Sequence, residues 1–205
     1  MVDDDTGVPI EGAVVVAHWE LHGGSIGGDS LPCGSANVEE AVTDKEGRFH
    51  LPGWGPTRVG CAGEMEIGNP LIYVFKSGYG YGYFSNGYGV QMVTVTHSDF
   101  DGRQMSLKRF PDMNLRKQGI GSYQFDFGLL NRALDNFTVN MPGECNWKKM
   151  PYMIVAIDSQ AKEFSRALGY SLGTMDDALI SNDQWILKVA PQCGSPKAFI
   201  ESLVK

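Results

Sequence analysis

Two short phrases within residues 1–56 constrain the fold of this chain more than any other feature. In the first, residues 5–17, a Thr6-Gly7 turn and Pro9 precede a run of β-branched residues. Glycine accepts positive φ and Pro9 biases Val8 toward extended geometry, so this phrase predicts a tight turn leading into a strand. In the second, the loop 44–47 separates strands predicted at 40–43 and 48–51. Together the phrases indicate one edge of an antiparallel β-sandwich.

Side chains alternate along the strand predicted after the first turn, which divides them into two sets. The wholly apolar set is predicted to face the core and comprises Ala13, Val15, Ala17, Trp19 and Leu21. The other set includes His18, Glu20 and His22 and is predicted to face outward. Two imidazoles and a carboxylate at this spacing are also ligands that Zn²⁺ or Fe²⁺ accepts, so a metal site at these three residues is the alternative interpretation.

The two phrases, together with residues 70–79, resemble the carboxypeptidase regulatory-like domain, a prealbumin-like (transthyretin-like) sandwich. The matching pieces are residues 2–17, 43–54 and 70–79. They are similar, more distantly, to the sandwich of intradiol dioxygenases, whose iron needs a His-x-His strand. This chain has His97 alone in that region, and it contains no His-x-x-Glu motif of the zinc carboxypeptidases. The resemblance therefore implies a sandwich of related shape without the iron site.

The rest of the chain changes character near Phe110. Residues 21–37 and 53–68 are predicted to be long exposed loops, and strands are predicted at 71–76, 90–96 and 104–110. Beyond them the apolar period becomes helical and predicts helices at 122–137, 147–168, 183–189 and 196–204. The predicted class is α+β: an N-terminal antiparallel prealbumin-like β-sandwich at 1–110, followed by a helical C-terminal segment at 111–205 packed on it.

Four cysteines are present, Cys33, Cys61, Cys145 and Cys193, and none forms a Cys-x-x-Cys pair. Their even split between the two halves favours the bridges Cys33–Cys61 and Cys145–Cys193, although four cysteines allow three connectivities and four buried thiols are the alternative. Disulfides imply an oxidising compartment. We therefore predict an extracytoplasmic location, which is periplasmic, cell-surface or secreted.

Net charge and hydropathy indicate which classes of partner the chain is expected to bind. The net charge of −7 disfavours non-specific binding of nucleic acid, which needs a basic surface. No apolar run is long enough for a transmembrane span, while a lipid anchor upstream of Met1 stays open. No cofactor is expected.

The Tyr-rich segment, residues 78–89, has the most unusual composition of the chain. Its aromatic residues are Tyr79, Tyr81, Tyr83, Phe84 and Tyr88. Tyrosines on a glycine-rich segment are typical of adaptable binding surfaces. The alternative is that these rings cover the end of the sandwich or contact the helical half.

These observations favour a non-enzymatic binding or structural module of a bacterial envelope, with a protein or glycan partner that the sequence does not identify. The alternative is a metal-dependent enzyme, either dioxygenase-like or a hydrolase, that uses His18, Glu20, His22 and His50.

Overall fold

The computed structural model describes residues 1–24, 30–53, 65–67, 70–85, 98–109, 120–139, 142–169 and 173–203. Within them the chain has the predicted α+β class. The strands are β1 (Val2–Asp3), β2 (Val14–Gly24), β3 (Ser30–Val42), β4 (Met65–Ile67), β5 (Leu71–Phe75), β6 (Gly82–Ser85) and β7 (Ser106–Leu107). The helices are α1 (Ile120–Thr138), α2 (Pro151–Leu168), α3 (Met175–Ser181), α4 (Asp183–Val189) and α5 (Pro196–Leu203).

The main sheet is antiparallel and is built around β2. Its strand order is β3-β2-β5-β6, and β4 pairs with the far end of β2 at Leu21 to Gly23. The predicted buried strand at 71–76 corresponds to β5, whose register places Val15 opposite Val74 and Ala17 opposite Ile72. Val15, Ile72 and Val74 are β-branched and pack well on a pleated surface, which favours the central pair of strands.

Residues 21–24 and 30–37, which the sequence predicts to lie in one loop, belong to the paired strands β2 and β3, so that prediction was wrong. Leu21 pairs with Gly34 and is 3% exposed. The register shifts between Trp19 and Glu20 and again between Leu21 and His22, which is how β-bulges bend and twist a strand. Gly and Ser lower local strand propensity, but pairing with a neighbouring strand outweighs propensity, and composition does not reveal the neighbour.

The predicted turn at residues 44–47 is present. Asp44 Oδ1 accepts hydrogen bonds from the N–H groups of Glu46 and Arg48. Gly47 has φ 70°, and a Cβ there would collide with the carbonyl oxygen of Met1, so this position requires glycine. Residues 48–51 are not a strand, contrary to the prediction, because the chain leaves the sheet after the turn and places Phe49 against the apolar cluster beneath it.

A second layer covers one face of the main sheet. β1 and β7 form a small parallel sheet in which Val2 pairs with Ser106. Met1, Ile10, Met105 and Leu107 are buried against the face that carries Ala13, Val15 and Ala17; the partly buried members of this cluster are Trp19, Phe49, Leu51, Tyr79, Phe84 and Phe100. The core-facing assignment of Ala13, Val15 and Ala17 is confirmed, while Trp19 is only half-buried.

The helices cover the opposite face of the sheet. α2 begins at Pro151, after a 3-10 turn at Asn146–Lys149, and ends at Leu168. The next residue, Gly169, has φ 78°, and its N–H donates to Ser165 O. Glycine suits the left-handed residue that follows a helix, and the predicted end at residue 168 is confirmed. The helix starts four residues after the predicted residue 147, at Pro151, because proline suits a first turn. α3 was not predicted; Thr174 and Asp177 begin it with a capping box.

The sheet is therefore buried on both faces, which corrects the predicted outward face of β2. Val14 and Val16, on the face predicted to meet solvent, belong to one buried apolar cluster with Leu130, Leu134 and Phe137 of α1. His18 on the same face is 2% exposed. Full burial of a Val, Leu or Phe side chain contributes about 1.5–3 kcal/mol, so the helical layer is a major source of stability for the sheet. No described helix is long and apolar enough to cross a membrane.

Candidate functional site

The described aromatic residues of the Tyr-rich segment are divided between the two faces of the main sheet. β6 pairs with β5 so that Tyr83 is opposite Tyr73 and Phe84 is opposite Ile72. Tyr81, the residue before β6, packs against the helix-side core. Phe84 packs against the second layer, where its ring centroid lies 5.6 Å from that of Phe100. The described rings thus do not form one contiguous patch. Tyr88 lies outside the described residues.

Tyr83 is the most exposed described ring of the segment. It is 49% exposed, and its ring centroid lies 5.6 Å from that of the buried Tyr73. Tyr73 in turn lies 5.8 Å from Phe137 of α1. A row of rings therefore runs from the helical core to the surface at β6. Burial, with smaller contributions from Tyr83, Glu20 and Tyr81, raises the pKa of Tyr73 above its usual range, so its hydroxyl stays protonated.

Tyr79 belongs to a polar cluster centred on the buried Asp3. Asp3 Oδ2 accepts hydrogen bonds from Tyr79 OH at 3.0 Å and from Arg109 Nε at 2.9 Å, and Oδ1 accepts from Thr6. Burial alone would raise the pKa of Asp3, but the hydrogen bonds from Thr6, Tyr79 and Arg109 outweigh it and hold this pKa well below its usual range. The cluster ties the first turn, the Tyr-rich segment and the residues after β7 together.

His18 is buried in the contact between sheet and helices. Its ring stacks on Phe137 with centroids 4.1 Å apart, and its Nε2 lies 2.8 Å from Ser35 Oγ. A serine–histidine contact of this length also occurs in enzymes with a nucleophilic serine. Here Ser35 Oγ also accepts a hydrogen bond from Asn146 Nδ2 at 3.0 Å. The geometry therefore gives His18 a packing role between β2, β3 and α1.

The proposed metal ligands are not brought together among the described side chains. Glu20 follows a register shift in β2, and the side chain of His22 lies outside the described residues. His50 is exposed and follows the 44–47 turn. The described residues contain no group of three His, Cys, Asp or Glu side chains placed to hold a metal ion.

The predicted disulfide Cys145–Cys193 is present, with the two Cα atoms 5.3 Å apart. Cys145 has φ 56°, a left-handed conformation that is unusual for a residue other than glycine. Its two neighbours contact β3: Glu144 Oε1 accepts the N–H of Ser35 at 2.8 Å, and Asn146 reaches Ser35 Oγ. The disulfide therefore anchors the segment that joins the helical layer to the sheet. Cys61 and the side chain of Cys33 lie outside the described residues.

Glu40 makes a second connection between β3 and the helices. Its carboxylate accepts the N–H groups of Tyr152 at 3.0 Å and Met153 at 2.7 Å, at the start of α2. Unpaired N–H groups of a first helical turn favour a carboxylate. Burial nevertheless raises the pKa of Glu40 to about 7, although these two N–H donors act in the opposite direction. Sequence reasoning missed this residue, because nothing in the strand pattern shows which helix will begin beside it.

A cleft of about 220 Å³ lies between β5 and α2, and we call it the β5–α2 cleft. Its strand side comprises Gly12, Val14, Phe75, Lys76 and Ser77, and its helix side comprises Ala156, Ser159, Gln160 and Glu163. The helix residues recur at i, i+3, i+4 and i+7, which places them on one face. In the sequence, the only indication of the cleft is this row of small or polar residues beside the apolar face of α2. The β5–α2 cleft was not predicted.

Comparisons of the chain with protein-family models, curated proteins and solved structures found no match. The function proposed below therefore depends on the geometry and the sequence phrases of this chain.

Proposed function

We propose that the chain is a non-enzymatic binding or structural module that works outside the cytoplasm, at a bacterial envelope. The observation that carries this proposal is the Cys145–Cys193 disulfide, because such bonds form and persist in oxidising compartments. Cys145 lies between Glu144 and Asn146, which both contact Ser35 of β3. The disulfide therefore holds the helical layer against the sheet.

The carboxypeptidase regulatory-like architecture is part of the same proposal. The turn phrases at 5–17 and 43–52 support it, and so does the second layer that buries Ala13, Val15 and Ala17. Domains of this shape serve many roles, so the architecture favours a module and does not name a partner.

The chemistry of the candidate residues also favours binding over catalysis. His18 is buried beneath Phe137, and Asp3 is engaged by Arg109 and Tyr79. These contacts use the groups for packing and for tying segments together. We propose that a protein or glycan partner is contacted by the Tyr-rich segment, where Tyr83 offers a half-exposed ring at β6.

The location is tested in the native cells by fractionation, and the thiol state by a membrane-permeant alkylating reagent applied at lysis under denaturing conditions. We expect the protein outside the cytoplasm, with Cys145 and Cys193 resistant to alkylation. Cytoplasmic protein whose Cys145 and Cys193 both alkylate would overturn the proposal.

Elemental analysis of untagged protein decides the enzyme alternative, since about one equivalent of bound iron or zinc would favour it.

The contact surface is tested with a photo-crosslinking residue placed at Tyr83, in the envelope fraction. The matched control carries the same residue at Tyr152, which is 63% exposed at the start of α2. A discrete product from position 83 and none from position 152 would support the Tyr-rich segment. Equal labelling from both positions would remove it as the binding surface.

A further inference from the structure

The β5–α2 cleft owes its space to three small residues. Gly12 has no side chain on the strand side, and Ala156 and Ser159 are small on the helix side. Buried Val14 and Phe75 also line the cleft, and Ala156 adds to its apolar surface. A site of about 220 Å³ is smaller than the ~300–1,000 Å³ that is typical of drug-sized ligands. The cleft therefore suits a compact molecule with a small apolar part.

One positively and one negatively charged residue line opposite sides of the cleft. Lys76 follows β5, and its Nζ donates to the carbonyl oxygen of Glu11 at 2.6 Å, which fixes the ammonium beside Gly12. Glu163 comes from α2, and its Oε2 accepts Gln160 Nε2 at 3.1 Å. The ion pairs among the described residues include neither Lys76 nor Glu163. The two charged side chains therefore line the same cleft without forming a salt bridge with each other.

The donors and acceptors of the cleft match a zwitterion. An ammonium group has three N–H donors, so Lys76 retains donors for a ligand carboxylate after its bond to Glu11. The carboxylate of Glu163 is an acceptor for a ligand ammonium, and Ser77 and Ser159 add hydroxyl groups. Val14, Phe75 and Ala156 offer apolar contact to a short aliphatic side chain.

We propose that the β5–α2 cleft binds a free α-amino acid with a small aliphatic side chain. Lys76 binds its carboxylate, Glu163 binds its ammonium, and the apolar residues contact its side chain. This inference rests on the proposed binding role and names a ligand class for it, at a site separate from the Tyr-rich segment. The test of amino-acid binding measures neither cellular location nor thiol state. A failure of this inference can therefore be distinguished from a failure of the proposed function.

The test is isothermal titration of the full chain with L-alanine and L-valine at up to millimolar concentrations. Propionate and propylamine, which each carry only one of the two charged groups, are titrated in parallel. We expect saturable binding of the amino acids and about tenfold weaker binding, or none, of the singly charged probes, since each charge-assisted hydrogen bond contributes substantially. Propionate binding as tightly as L-alanine would overturn the proposal, and so would the absence of amino-acid binding.

Three variants locate the binding. Lys76→Met and Glu163→Gln should each weaken L-alanine binding by about tenfold or more, since each removes one charged partner. Lys45→Met removes an exposed lysine on the 44–47 turn and should leave the affinity unchanged. Circular dichroism and thermal unfolding establish that each variant is folded. Folded Lys76→Met and Glu163→Gln proteins that bind L-alanine as the parent does would refute the proposal.

Discussion

His18 of β2 stacks on Phe137 of α1, with ring centroids 4.1 Å apart and ring planes 24° from parallel. Phe137 is 1% exposed and also lies 5.8 Å from Tyr73 of β5, so one helical ring contacts two neighbouring strands. This contact shows how the helical layer covers the face of β2 that the sequence predicts to be solvent-exposed. Through this contact His18 takes part in the packing between β2 and α1.

Phe137→Ala should lower the free energy of unfolding by about 3–5 kcal/mol, because it removes a large buried ring and leaves a cavity. The matched control is Leu129→Ala on the same helix. Leu129 is 37% exposed, so its loss should cost about 1 kcal/mol or less. Urea denaturation followed by circular dichroism gives both values. Similar losses for the two variants would contradict the packing of α1 described above.

Replacing Cys145 and Cys193 together by serine should lower the free energy of unfolding by about 4 kcal/mol. The two cysteines are 48 residues apart, and closing a loop of that length restricts the unfolded chain by this amount in the chain-entropy model. The comparison is made by urea denaturation under non-reducing conditions. Equal stability of the parent and the double variant there would show that the bond contributes nothing.

Glu40→Gln should remove one source of pH dependence. The pKa of Glu40 is about 7 in the folded chain against an ordinary 4.5, so the folded state binds this proton more tightly than the unfolded state. Its contribution therefore makes the free energy of unfolding fall as pH rises from about 4.5 to about 7, and is constant above that window.

The amide introduced by Glu40→Gln would keep an oxygen for the N–H groups at the start of α2 without titrating. The temperature of thermal unfolding, measured from pH 4 to 8, should fall less steeply for this variant than for the parent. The control is Glu39→Gln, one residue earlier in β3, which should follow the parent curve. A Glu40→Gln curve parallel to that of the parent would show that Glu40 is not the group responsible.

Asp3→Asn should change stability at the acid end of the pH range. The folded pKa of Asp3 is well below its ordinary 3.8, so the ionised carboxylate adds stability above that value and loses it as pH falls further. The parent should therefore lose more thermal stability between about pH 4 and pH 2 than Asp3→Asn does. Asp5→Asn, a change to an exposed neighbour, should behave as the parent. An Asp3→Asn protein that loses as much stability in acid as the parent would disprove the assignment.

The sequence by itself determined those turns and helix ends that depend on residues close together in the chain. In the turn at 44–47, the Asp44 carboxylate accepts a backbone N–H of the turn, and Gly47 adopts the positive φ that the turn needs. Both effects act between residues that are close in sequence. α2 is bounded by Pro151 and Gly169, and the apolar period between them identifies its buried face. The Cys145–Cys193 pairing was also anticipated, from the division of the cysteines between the two halves of the chain.

Tertiary structure alone decided the features that depend on residues far apart. Residues 21–24 and 30–37 are strand because β3 pairs with β2, although glycines and serines there favour a loop. Glu40 becomes a helix-capping carboxylate because α2 starts beside it, 112 positions later at Tyr152. The β5–α2 cleft likewise joins Lys76 to Glu163 across two layers. Sequence patterns report which face of an element is apolar, whereas the element that covers it is fixed only by packing of the whole chain.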